Sequence, residues 1–361
     1  MKEMKVRDSN IELLRILMMI VIVAHHYIVN SGIFQMIVNT PPRQATSEFR
    51  TMFALLFGWG GKTAINVFLL ITGYFMCRQE FKWRKVLFLA GEVVFYRWVI
   101  AAIFLVSGYE PFSLKEFVKT VLVVPYDFGQ GFTSSFLGMY VLVPFINILV
   151  QSLDRKNLER LLVVLLVIFT GFSTFFFNNT FEYLGWYITV YLAGSYIRLF
   201  GAEWMKSLRT TAFLCAGFLI LSWLSVAGIR ILALILNRNL PYYYFVADSN
   251  KILAFFTACA LFLFFKNLNI GKVWIINRFA ASTFGVLMIH ASSDTMRKWL
   301  WQDICGNTDA FERDAFILHA VGCTLCVYFL CVLIDMGRKA LTGKIISKIS
   351  ERINFRICQK I

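Results

Sequence analysis

Apolar runs long enough to cross a lipid bilayer recur about ten times along this chain, and that repetition leaves little choice of fold. They cover roughly residues 11–29, 53–77, 86–107, 132–150, 160–177, 183–200, 211–229, 250–265, 274–290 and 315–335. A hydrocarbon core of about 30 Å needs about 20 residues of helix, and most of the runs meet that length. The 361 residues are 58% hydrophobic and 16% charged, with a mean hydropathy of +0.66. A soluble domain of this size could not hide so much apolar surface. The expected fold class is all-α: a polytopic integral membrane protein of about ten transmembrane helices. The first run is too long for a cleaved signal peptide and lacks a small-residue cleavage site, so it reads as a retained anchor.

The net charge of +15 could suggest nucleic acid, but its distribution argues against that partner. Basic residues fall between the apolar runs and in the tail, as topology signals do. One set of alternate loops carries Arg78, Lys82, Arg84 and Lys85, then Arg155, Lys156 and Arg160, then Arg198, Lys206 and Arg209, then Lys266, Lys272 and Arg278. Lys2, Lys5, Arg7 and the seven basic residues after Met336 belong to the same side. The opposite loops carry fewer: Arg43, Arg50, Lys115, Lys119, Arg230, Arg238, Arg297, Lys298 and Arg313. By the positive-inside rule both termini are cytoplasmic, which requires an even number of spans. Residues 1–336 form the membrane domain. Residues 337–361 form a basic amphipathic cytoplasmic tail suited to the lipid surface. The segment from Ser113 to Val124 reads as an interfacial helix on the outer side.

Two motifs carry little weight. Cys323-Thr-Leu-Cys326 has CxxC spacing but sits in an apolar helix without a second pair, so packing is the better reading. Asn178-Asn179-Thr180 is a formal glycosylation sequon, without meaning in a bacterial host.

Chemistry must therefore come from polar residues inside the spans. Arg15 and His26 are eleven residues apart, which brings them within about 20° on one helical face and separates them by about 16 Å along it. Such residues are costly in lipid unless they face a protein interior or a wet cavity. Arg15 lies near the cytoplasmic end, where it could instead pair with Glu12 or reach lipid phosphates. His25 is turned about 80° from Arg15 and favours packing. Lys62 and Asn66, Ser134 and Ser135, Asp248 and Lys251, and His290 with Asp294 fall at the outer depth of His26, and Tyr140 near the middle. Arg97 lies mid-membrane, with Glu92 as an expected partner. His319 stands alone and reads as structural. No set of His, Cys, Asp and Glu has metal-ligand spacing, and none is expected to hold a metal.

Four blocks together resemble the membrane-bound acyltransferase-3 family, the O-acetyltransferases of bacterial surface glycans. They are Asn10-Ile-Glu-Leu-Leu-Arg-Ile with His25-His26-Tyr27, Gly61-Lys-Thr-Ala-Ile-Asn to Thr72-Gly-Tyr-Phe75, Tyr140 to Pro144-Phe-Ile-Asn147, and Thr283-Phe-Gly-Val-Leu-Met-Ile-His290. Arg15 and His26 fit that family's Arg-x10-His signature. The chain departs from the family at Gly131-Phe132, where Trp-Phe is common, and lacks an Arg-x2-Arg pair after the second span.

The resemblance implies acetyl transfer from cytoplasmic acetyl-CoA, a substrate rather than a bound cofactor, to a hydroxyl of a surface or exported glycan or lipid-linked saccharide. It implies a multi-pass protein of the bacterial inner membrane. His26 would be general base or transient acetyl carrier, and Arg15 would hold the donor. His25, Asn66, Tyr140 and His290 would bind substrate or the oxyanion. Three alternatives stay open: a glycan or solute transporter or flippase, a same-family enzyme using succinyl or another acyl donor, and a non-catalytic sensor. A transporter would call for discontinuous helices and repeat symmetry, neither of which the sequence displays clearly. The sequence leaves the oligomeric state open.

Overall fold

The computed structural model describes residues 8–126, 131–176 and 183–358, with side chains to residue 342. The described residues are helical throughout, without strands. The sequon at Asn178 and the basic residues before Asp8 lie outside them.

Ser9–Val29 forms α1. Glu48–Gly58 and Gly61–Met76 form α2 and α3, nearly continuous across Trp59-Gly60. Trp83–Val106 is α4 and Phe132–Ser152 is α5. Arg155–Leu166 is α6, continued by a π-helical stretch Val167–Phe172. Tyr183–Phe200 is α7, Leu208–Leu236 is α8 and Ile252–Asn267 is α9. Trp274–Ala280 and Thr283–His290 are α10 and α11, and Phe316–Cys358 is α12. The interfacial segment contains the helix Leu114–Val121.

Among the described residues seven spans are long and apolar enough to cross a membrane: α1, α2–α3, α4, α5, Arg155–Phe175, α8 and the Phe316–Thr342 part of α12. The other three expected segments are helical too, but α9 has 16 residues, α7 has 18, and the ninth is broken into α10 and α11. The boundary expected after residue 336 falls inside the continuous helix α12.

Three differences from the sequence reading stand out. First, α8 runs on to Leu236, so Arg230 is a buried helix residue rather than a loop charge. Its guanidinium grips both oxygens of Glu48, at 3.0 and 2.6 Å, and also donates to the Tyr242 hydroxyl and the Pro42 carbonyl. Second, Arg97 does not use Glu92. Glu92 pairs with Arg338 at 2.8 Å, in a cluster completed by Asp335, Tyr96 and Lys339. Third, two helices are interrupted, at Trp59-Gly60 and at Ala281-Ser282. Neither break announces itself as loss of hydropathy, because the flanking turns stay apolar.

The start of α1 ties the bundle together. Asn10 Nδ2 donates to the Phe265 and Leu268 carbonyls, both at 2.9 Å, which serves the unsatisfied C-terminal end of α9. Ser9 Oγ donates to Asn277 Oδ1 at 3.0 Å and accepts from the Val273 amide at 2.8 Å. The π-helical stretch and the turn after it find outside partners for their carbonyls: Phe169 accepts from Asn250, and Ser173 and Thr174, just beyond the stretch, accept from Lys251 and Tyr244.

Helices α3 and α7 cross closely because each offers a glycine. A Cβ on Gly73 would stand 2.2 Å from the Tyr191 carbonyl oxygen, and one on Gly194 would stand 2.4 Å from that of Leu70. Small residues are what allow helix backbones to approach this way in a membrane. Gly73→Ala should cost about 1–3 kcal/mol, the usual range for overpacking, and lower the thermal midpoint of detergent-purified protein. Gly217→Ala, with nothing within 4 Å, serves as the neutral control. Equal melting of the two variants would contradict the close crossing.

Candidate active site

The last two turns of α1 form one wall of a cavity of about 510 Å³. His25, His26, Lys62, Arg97, Tyr183, Tyr187, Ser292, Asp294 and Arg297 line it, among apolar groups such as Ile22 and Ile65. Seven separate stretches of chain therefore converge where the sequence reading placed only a shared depth.

His26 and His290 are hydrogen-bonded. His26 Nδ1 is 2.9 Å from His290 Nε2, and His290 Nδ1 is 2.6 Å from the Val286 carbonyl. A carbonyl can only accept, so His290 Nδ1 carries a proton. In a neutral ring Nε2 of His290 is then the acceptor, and His26 Nδ1 is the donor. The same rule leaves Nε2 of His26 unprotonated. Each ring is thus held in one tautomer by the next, the function a carboxylate serves in many histidine sites. His290 is fully buried and packs edge-on to Trp301, at 6.3 Å between rings.

His25 is held separately. Its Nδ1 is 2.5 Å from the Gly58 carbonyl, at the interruption between α2 and α3. Gly61 makes room for it, since a Cβ there would meet the imidazole at 2.4 Å. His25 thus lines the cavity while also anchoring α1 to the break. Lys62 is fixed by Asp248 at 3.7 Å and by the Tyr183 hydroxyl at 3.4 Å. Asp248 reaches across to another element, beyond the i, i+3 pairing with Lys251 that its spacing suggested.

Four expected site residues do not line the cavity: His290, which reaches it only through His26, and Asn66, Tyr140 and Arg15. Asn66 does not line the cavity; its amide donates to the Ser249 carbonyl at 2.6 Å and accepts from the Trp186 indole at 3.0 Å. Both ends of its side chain are committed to holding α3, α7 and the loop before α9 together. Tyr140 does not line it either, and packs between the rings of Phe81 and Phe136. Residues at one level of a bundle face different neighbours. Arg15 is outside the cavity as well, with Nη1 3.9 Å from Glu12. His319 accepts from or donates to the Tyr27 hydroxyl at 2.7 Å, a packing role as expected.

The sequence reading missed Ser292 and Arg297. Their only signal was position, in the turn just beyond His290. Among the described residues no three His, Cys, Asp or Glu side chains gather as metal ligands do.

No curated protein and no solved structure matches this chain. One protein family, described as an acyltransferase domain, matches residues 8–336. That span takes in every helix through the transmembrane part of α12, both histidines of the pair and the whole cavity wall. The chain belongs to acyltransferase family 3 and is a multi-pass membrane acyltransferase.

Proposed function

We propose that the protein moves an acetyl group from cytoplasmic acetyl-CoA to a hydroxyl of a cell-surface or exported glycan, with His26 as general base. The observation that carries this reading is the hydrogen-bonded chain from the Val286 carbonyl through His290 to His26. It presents an unprotonated Nε2 on a residue that lines the cavity. In the step proposed, His26 Nε2 takes the proton of the acceptor hydroxyl as that oxygen attacks the thioester carbonyl. The tetrahedral intermediate collapses with cleavage of the C–S bond. His26 returns the proton to the departing thiolate, giving the O-acetyl ester and free coenzyme A. His290 keeps its acceptor nitrogen on His26 Nδ1–H throughout, which steadies the transient imidazolium. Lys62, fixed by Asp248 and Tyr183, would face the developing oxyanion.

Orientation supports a two-sided reaction. In this reading the Arg15 end of α1 faces the cytoplasm and His26 lies near the outer face of a bacterial inner membrane, an orientation that the positive-inside distribution supports. Arg15 would hold a phosphate or carboxylate of the donor, for which a guanidinium is well shaped. The interrupted helices, which a transporter would also have, here seat the catalytic histidine: one break supplies the carbonyl that holds His25, and the other precedes the short helix that ends at His290.

His26→Ala should abolish acetylation while membrane abundance stays normal, read as the absence of the 42 Da acetyl increment in surface polysaccharide mass spectra. Near-normal acetylation would remove His26 from catalysis. His290→Phe keeps an aromatic ring but removes the acceptor, and should lower kcat on the order of 10²-fold or more, as losing the tautomer-fixing partner does in hydrolases. Arg15→Lys keeps the charge but not the planar fork; it should raise KM for acetyl-CoA with little change in kcat. An unchanged KM would leave Arg15 as the partner of Glu12 only.

A further inference from the structure

The turn that follows His290 brings together more donors than its acceptors serve. Arg97 sits past the middle of α4, where a charge is expensive unless it faces a wet cavity with a partner. Its guanidinium donates to the Ser292 carbonyl, and none of the ion pairs among the described residues involves it. Ser292 Oγ is buried with no hydrogen-bond partner. So is Nε of Arg297, five residues further on. The remaining guanidinium nitrogens of Arg297 reach Asp294 at 2.8 Å and the Ala291 carbonyl at 3.5 Å. The Asp294 side chain is 96% exposed, so that pair is solvated and neutralises little.

Buried donors left unpaired cost about 1–3 kcal/mol each, and more when charged. Here two lie within five residues of each other, beside a second guanidinium, on the wall that also holds His26. Lys62, which pairs with Asp248, is a further basic residue of the lining, and among the described lining residues Asp294 is the one carboxylate. Clefts lined by one sign of charge gather ligands of the other.

We propose that Arg97, Ser292 and Arg297 form an oxyanion-binding subsite for a carboxylate or phosphate group of a substrate. This rests on the acyl-transfer reading of the same cavity. Two guanidinium groups and a hydroxyl suit such a group through charge-assisted hydrogen bonds. Its source is either an acidic sugar of the acceptor glycan, as in uronates and sugar phosphates, or the phosphates of coenzyme A. In the first case the subsite selects acidic over neutral acceptors and sets the reacting hydroxyl against His26.

The test is direct binding to the full-length protein in nanodiscs, by saturation-transfer NMR for glucuronate, glucose 1-phosphate and glucose, and by calorimetry for coenzyme A. The two acidic sugars should bind in preference to glucose, and Arg97→Gln should weaken them at least tenfold while coenzyme A affinity stays the same. If instead Arg97→Gln weakens coenzyme A alone, the oxyanion subsite stands and its ligand is the donor. Unchanged binding of both the acidic sugars and coenzyme A in Arg97→Gln would overturn the proposal, because a residue that only caps the Ser292 turn would alter stability and not charge selectivity. Arg297→Gln is the second variant, read in the same way should Arg97→Gln fail to fold. No acyl transfer is needed for these readouts. Loss of acetylation in His26→Ala with retained binding, or the reverse, therefore separates this subsite from the proposed reaction.

Discussion

A polar group in hydrocarbon has no water to fall back on, so each one must find its partner within the protein. That constraint organises the bundle. Asn10 closes the end of α9, Arg230 grips Glu48 across α8 and α2, and Asn250, Lys251 and Tyr244 serve carbonyls of the π-helical stretch and the turn that follows it. These pairings fix which helices are neighbours, because apolar side chains pack nearly as well against lipid as against each other. The cavity beside His26 keeps two donors unpaired, Ser292 Oγ and Arg297 Nε, next to the Arg97 guanidinium. The proposed subsite for an anionic group rests on that clustering beside the histidine pair.

Interrupted helices are the second device. A helix end frees backbone groups that a continuous helix would consume. At the α2–α3 break the Gly58 carbonyl takes His25, and α1 is pinned there. The break before Thr283 leaves α11 only eight residues long, with His290 as its last residue. Lys339 donates to the Ala281 carbonyl at 2.6 Å at the start of that helix and pairs with Asp335. The ion cluster at one end of α11 and the histidine pair at the other hold a short helix at both ends, which keeps the His26–His290 geometry from drifting.

Much of this was legible in residue order. The apolar runs gave the helical class, and ordered motifs carried the family. Arg15 and His26 were singled out by their cost in lipid, and His290 by its motif. The partnership of His26 with His290 was not legible, because the two are 264 positions apart and periodicity speaks only of one helix at a time. Asn66 and Tyr140 share the depth of the cavity region without lining it, for the same reason: depth along a helix is one coordinate, and facing direction across a bundle is another. Glu92 was matched to Arg97 by nearness in sequence, yet Arg338 reached it first from α12.

What the sequence determined by itself is therefore one-dimensional: which stretches are helical and apolar, which polar residues lie inside them, and how charge is distributed between them. Those properties follow from transfer free energies and helix geometry, which are local. Which polar residues meet was decided only by the tertiary structure. Close crossings such as Gly73 on Tyr191, and carbonyls freed at helix breaks, set rotation and register between helices, and no local propensity encodes either. The catalytic reading of His26 depends on that second layer, since its proton is placed by a neighbour from the far end of the chain.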